Sequence, residues 1–229
     1  MFPSERLAVV ERYAALLATE GVVRGLIGPR EAPRLWERHL VNCALLGDLV
    51  PGDSSVCDIG SGAGLPGLVL AVARPDLRVT LVEPLLRRTT FLQEAVDTLE
   101  LTNVEVVRGR AESLHGGRTF DIVTSRAVAP LGRLLGWSMP LVAPTGVLLA
   151  MKGSSVADEV EDASEELARW GCDEPVVHLL GEGLVPVPTY ALQVAWADPT
   201  RVSWPLAAHG GGPGRPTRRG RKAKRRRQE

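Results

Sequence analysis

The segment Asp58-Ile59-Gly60-Ser61-Gly62-Ala63-Gly64-Leu65-Pro66-Gly67 constrains this chain more than any other, because four of its ten residues are glycine and it joins two apolar runs. Glycines there permit positive φ and let the backbone approach a ligand closely. In open parallel sheets such a turn lies outside the carboxyl end of a strand, which is where ligands bind. The remainder of the chain has to supply that sheet.

It carries the pattern for one. Strands are predicted near residues 55–59, 78–83, 103–107, 119–124 and 146–151, with helical segments near 65–74, 86–100 and 130–143 between most of them. The third crossover is short, one turn around Ala111 to Leu114. This alternation is the βαβ rhythm of an α/β fold with a mostly parallel sheet. A helix over 156–169, rich in Asp and Glu, is read as facing solvent, and strands near 174–180 and 189–197 can close the sheet as an antiparallel hairpin. Ahead of the sheet, Leu7, Val10, Tyr13, Ala14 and Leu17 recur at helical spacing, as do Leu35, Leu40, Cys43, Leu46 and Leu49. Their apolar stripes are read as core cover. The expected organisation is a helical segment 1–50 packing on the sheet, a ligand-binding domain 51–200, and a disordered tail 201–229, polybasic from 214.

Charge adds one strong asymmetry to that plan. The formal net charge is zero, yet residues 214–229 hold nine of the 27 basic and one of the 27 acidic side chains, so that stretch carries +8 and residues 1–213 carry −8. A basic block with Gly and Pro is expected to attract polyanions, nucleic acid among them. Three cysteines without CxxC spacing and four scattered histidines fit neither a disulfide framework nor a metal site. Charges at positions 5, 6, 11 and 12 interrupt any signal-peptide core, and no apolar run reaches membrane-spanning length. A reducing cytoplasm is the expected compartment.

Two cofactors fit the glycine turn. Gly62, Gly64 and Gly67 satisfy the dinucleotide pattern GxGxxG. Asp58 argues for the other, because a carboxylate at the strand end suits a cationic amino-acid ligand better than a pyrophosphate, which needs free N–H groups. S-adenosylmethionine has a sulfonium, an ammonium and no phosphate. Glu83, 23 residues after Gly60, is placed to accept both ribose hydroxyls. Arg110-Ala111-Glu112, after the third strand, offers a backbone N–H and a carboxylate to an adenine edge. Three spaced acidic positions favour the methyl donor over NAD(P) and an oxidoreductase. A non-enzymatic RNA-binding protein held by its tail is the third reading.

With ERHLVNC (37–43), DIGSGAGLPGL (58–68), RGRAE (108–112), SRAVA (125–129) and MKG (151–153), the chain resembles the small-subunit rRNA methyltransferase G family, also called glucose-inhibited division protein B. The resemblance covers about residues 35–155 closely and the rest loosely. It implies a Rossmann-like class I methyltransferase with a seven-stranded sheet, transferring methyl from S-adenosylmethionine to guanine N7 in the 530 loop of 16S rRNA. It further implies that Gly60, Leu65, Ala111, Glu112 and Arg126 line the donor site, beside Asp58, Gly62, Gly64 and Glu83 from the motif. The expected substrate is 16S rRNA, the 30S subunit or its assembly intermediate, and a monomeric enzyme is expected.

Guanine N7 has no proton to lose, so positioning rather than a general base should dominate. No Asn/Asp-Pro-Pro-aromatic string of an exocyclic-amine methyltransferase follows the fourth strand; TSRAVAP stands there. Arg126 is expected to position donor or guanine. Lys152, the one lysine before the tail against 17 arginines, is expected at the same edge as a compact ammonium. Arg87, Arg88, Arg108 and Arg110 can form a phosphate-binding rim or a solvated helix face. His39 is read equally as an RNA contact or a satisfied buried imidazole.

Overall fold

A computed structural model of the protein describes residues 1–202 and Leu206. Its centre is a seven-stranded sheet ordered β3-β2-β1-β4-β5-β7-β6. The strands are β1 Ser55–Ile59, β2 Arg78–Glu83, β3 Val104–Arg108, β4 Phe120–Arg126, β5 Val142–Lys152, β6 Val176–Leu180 and β7 Thr189–Ala195. The first five are parallel, and β7 runs antiparallel to both β5 and β6. β6 therefore regains the common direction, and β7 alone is reversed. The strand order turns back between β1 and β4, the position at which ligands bind in sheets of this kind.

The inner strands read as near-continuous apolar runs because both faces are covered. Val56, Val79, Leu81, Ile122 and Leu149 point into one core layer. Cys57, Ile59, Val82, Val123 and Leu148 alternate with them into the other. Helices α1 Leu7–Leu16, α2 Val41–Leu45, α3 Gly67–Ala73 and α4 Leu86–Thr98 pack on the first face. The second is covered by α5 Leu131–Ser138, α6 Val156–Asp162 and α7 Ser164–Trp170. Val10, Tyr13 and Leu17 of the N-terminal helix are completely buried in the same core as the sheet.

Three boundaries differ from the sequence reading. The acidic helix 156–169 is two helices, broken at Ala163, whose backbone leaves the helical region at φ −101°, ψ 11°. It is also not wholly solvent-facing, since Val156, Ala163 and Leu167 are buried against the sheet. Helix 130–143 stops at Ser138, and a tight turn Met139–Leu141 containing Pro140 leads directly into β5, four residues before the predicted strand. Proline inside the helix would lose a ladder bond and crowd the preceding turn. The polybasic stretch from 214, and the expected disordered tail with the exception of residues 201, 202 and 206, lie outside the described residues. Among the described residues no helix is long and apolar enough to cross a membrane, and no group of His, Cys, Asp and Glu could hold a metal ion.

Candidate active site

The glycine turn leaves β1 and folds back on itself. Gly60 and Ser61 donate their N–H groups to Val82 O at 2.8 and 3.2 Å, and Gly64 and Leu65 donate theirs to Ser61 O at 2.7 and 3.2 Å. Gly62, at φ +58°, aims its N–H at Glu83 Oε2, 3.1 Å away. A left-handed backbone of this kind is glycine's ordinary use. Glu83 closes β2 at 1% exposure; its Oε1 accepts from Leu85 N at 3.0 Å, and Arg88 Nη1 reaches Oε2 at 3.4 Å. These turn amides are thus spent internally and a carboxylate stands among them. The turn is closed to a pyrophosphate, which removes the observation that favoured a dinucleotide.

Around this turn lies a cleft of about 640 Å³ whose walls include Gly60, Gly62, Leu65, Glu83, Arg88 and Arg126. Gly60, Pro84 and Val128 also border a smaller apolar cavity of about 320 Å³, where Ala111, Glu112 and Trp137 complete the wall. The cleft therefore brings the glycine turn and the Glu83 carboxylate together, and an apolar cavity adjoins it. Adjoining the cleft through His39 and residues 126–128 is a second cavity of about 910 Å³, to which Asn42, Lys152, Glu159 and Tyr190 contribute. Arg126, Ala127 and Val128 line both the cleft and this cavity. Ala127 holds φ at +52°, an uncommon conformation for a residue with a Cβ, and such strain collects at functional loops.

Arg126 ends β4 and is held from the helical cover. Its Nη2 donates to His39 Nδ1, and its Nη1 reaches Cys43 Sγ at 3.6 Å. Because a guanidinium only donates, Nδ1 is the acceptor, so Nε2–H donates to Glu31 Oε2 at 2.9 Å. Burial, with the Arg126 charge adding to it, keeps the His39 imidazole below its usual pKa and therefore neutral near pH 7. Burial likewise pushes the Cys43 thiol up. Lys152, 8% exposed at its side chain, donates to Glu159 Oε2 at 2.6 Å and to Ala129 O at 3.2 Å.

The structure thus gathers Gly60, Gly62, Leu65, Glu83 and Arg126 in one cleft, places Ala111 and Glu112 in the small cavity that shares Gly60 with it, and sets Lys152 with Arg126 in the second large cavity. Three expectations are corrected. Asp58 lines none of these cavities: it is fully buried, and its Oδ2 accepts from Gly67 N at 3.0 Å, so it braces the start of α3 rather than facing a cationic ligand. Gly64 also turns away, since a Cβ there would meet Leu68 and the Tyr13 hydroxyl. Arg88 sits in the cleft on Glu83 rather than on a phosphate rim, and only Arg110 of the four arginines borders the small cavity, with Arg87 and Arg108 exposed. His39 is a satisfied, buried imidazole, yet it also lines both large cavities. Trp137, Asn42, Glu159 and Tyr190 were missed, because nothing in their local spacing ties them to the turn.

Burial pushes the Asp58 carboxyl up to about 7, against the hydrogen bond from Gly67. A carboxyl whose pKa rises on folding stabilises the native state while protonated, and that contribution fades as pH climbs from its ordinary value of 3.8 through about 7. Melting temperature is therefore expected to drop more steeply between about pH 4 and 7 in the wild type than in Asp58→Asn, which keeps an acceptor for Gly67 without the charge. Parallel slopes in a melting series would reject this account.

Residues 6–183 match the family described as rRNA small subunit methyltransferase G. The ribosomal RNA small subunit methyltransferase G of a Nocardioides species is 68% identical over 208 residues, covering 91% of this chain and 83% of its own. The protein of the same name from Thermobifida fusca is 57% identical over 190 residues, or 83% and 80% of the two chains. Among solved structures, precorrin-6y C5,15-methyltransferase from Geobacter metallireducens is similar with a TM-score of 0.51 at 16% identity, over 75% of this chain and 91% of that one. M. jannaschii TYW2 in complex with AdoMet gives 0.54 at 15%, over 68% and 74%. At such identities the likeness is one of fold, that of class I methyltransferases.

Proposed function

Because this chain belongs to the rRNA small subunit methyltransferase G family, we propose that it is the S-adenosylmethionine-dependent enzyme that methylates guanine N7 in the 530 loop of 16S rRNA. It acts as a monomer, in the cytoplasm, on the small ribosomal subunit or its assembly intermediate. The observation that carries this reading is the pair of large cavities sharing Arg126, Ala127 and Val128, one holding the glycine turn with Glu83 and the other holding Lys152.

Gly60, Gly62 and Leu65 bound the amino-acid end of the donor, Glu83 takes the ribose hydroxyls, and Ala111, Glu112 and Trp137 form the adenine slot. When bound, S-adenosylmethionine supplies a sulfonium methyl group, which the N7 lone pair accepts with no proton to be removed. The chain accordingly needs no general base, and its task is to hold the base in line and dry. Arg126, fixed by neutral His39, and Lys152, fixed by Glu159, place one cation between the cavities and one in the second of them. The exposed Arg87 and Arg110 contact phosphates, which positions RNA without reading its sequence.

The test is transfer of tritiated methyl to 30S subunits from cells lacking the protein, with the labelled nucleotide identified after digestion. Label in 7-methylguanosine of the 530 loop is expected, and label in any other nucleotide would overturn the N7 assignment. In a melting assay S-adenosylhomocysteine should stabilise the protein and NAD should not.

A further inference from the structure

The second cavity holds groups that do not suit RNA phosphates. Lys152 is the expected cation, but Glu159 and Asp162 both line the wall, and a carboxylate in an RNA-binding cavity repels the backbone unless it meets a hydrogen-bond donor. One Glu159 oxygen is pinned by Lys152 at 2.6 Å, while the other has no hydrogen bond among the described residues. A second anomaly lies in the same cavity. Asn42 is only 7% exposed; its Nδ2 donates to Arg38 O at 3.4 Å, and its Oδ1 has no partner among the described residues. The amide cannot be reversed to cure this, since Arg38 O requires a donor. A buried carbonyl without a partner is costly, and such groups mark a missing ligand atom or water.

Among the nucleobases, guanine alone puts two adjacent donors, N1–H and N2–H, on its Watson–Crick edge. We propose that the second cavity selects guanine through these acceptors, with the Glu159 carboxylate taking N1–H and one N2–H, and Asn42 Oδ1 completing the acceptor wall. The inference rests on the methyltransferase reading above and deepens it by naming what distinguishes the base. Extrahelical bases are commonly read on this edge. Adenine turns an acceptor, N1, toward the same carboxylate and is repelled. With the Watson–Crick edge so engaged, N7 is left exposed on the other ring.

The pairing also strengthens during the reaction. The N7 lone pair forms the new C–N bond as the C–S bond breaks, its electrons stay on sulfur, and the purine becomes a cation. Its N1–H is then a better donor to a carboxylate than before. An interaction tighter in the transition state than in the ground state raises kcat. Lys152, by holding Glu159, keeps the carboxylate aimed.

The experiment compares wild type, Glu159→Gln and Asn42→Leu on 30S subunits carrying either the native target guanine or adenine at that position. Glu159→Gln is expected to lower kcat on guanine about 10- to 100-fold, the span of one lost charge-assisted interaction, with S-adenosylhomocysteine affinity unchanged. Its glutamine amide can face adenine N1, so the guanine-to-adenine ratio should fall further than the rate on guanine alone explains. Asn42→Leu should lose several-fold on guanine. A Glu159→Gln rate equal to wild type, or a lower rate with unchanged discrimination, would overturn the proposal. Absence of methyl transfer by the wild type to the guanine would instead remove the reading on which it rests.

Discussion

Replacing Glu83 with Ala should weaken S-adenosylhomocysteine binding by about two orders of magnitude or more, measured by calorimetry. A carboxylate has roughly four acceptor sites, and two are fixed by the amides of Gly62 and Leu85. Those two bonds set its orientation and leave sites for ribose hydroxyls, one of which Arg88 approaches at a long 3.4 Å. A hydrogen bond to a charged group contributes about 1.5–3 kcal/mol, so losing two corresponds to at least a hundredfold. Glu83→Gln separates binding from folding. It preserves one acceptor and the shape, so one of the Gly62 and Leu85 amides loses its partner at a cost of about 1–3 kcal/mol, and it should remain folded at 25 °C while binding at least tenfold more weakly. Wild-type affinity in Glu83→Ala would show that ribose is held elsewhere.

The second large effect concerns stability. A Cβ at Gly67 would stand 2.3 Å from Leu81 Cδ2 and 2.7 Å from Asp58 Oδ2, both completely buried. Neither neighbour has space to retreat, and the same Asp58 oxygen accepts the Gly67 N–H. Overpacking a rigid core costs about 1–3 kcal/mol, and here it comes with a disturbed buried carboxylate. Gly67→Ala is expected to lose about 3 kcal/mol or more, seen as a fall in melting temperature on the order of 6–12 °C for a chain of this length. Gly136→Ala, where a Cβ meets nothing within 4 Å, is the matched control and should melt at or above wild type. A Gly67→Ala melt coincident with that control would mean that α3 shifts freely against β2.

The alternation of strands and helices was readable because each inner strand is buried on both faces and leaves a short apolar run between turns. The donor cleft was readable for a related reason: Gly60, Gly62 and Glu83 follow consecutive strand ends, so sequence spacing maps onto position along one sheet edge. Asp58 shows the limit of that logic. Being at a strand end says which edge a side chain is near, but its burial beside Gly67 is decided by α3 packing over it. The acidic helix shows another limit, for its charge pattern dominates over the three apolar residues that anchor it. Asn42, Glu159 and Tyr190 come from α2, α6 and β7, elements far apart in the chain, and only tertiary assembly brings them to one cavity.

The lone reversed strand has a bearing on how the protein comes into being. β6 is made before β7, yet β7 lies between it and the rest of the sheet, so β6 has no neighbour to pair with until the later strand has left the ribosome. The donor cleft draws only on residues 26–137, whereas the second cavity also needs residues 187–190. Vectorial synthesis therefore delivers the parts of the donor half first, and the nascent enzyme acquires its place for a base only as the interior strand is inserted.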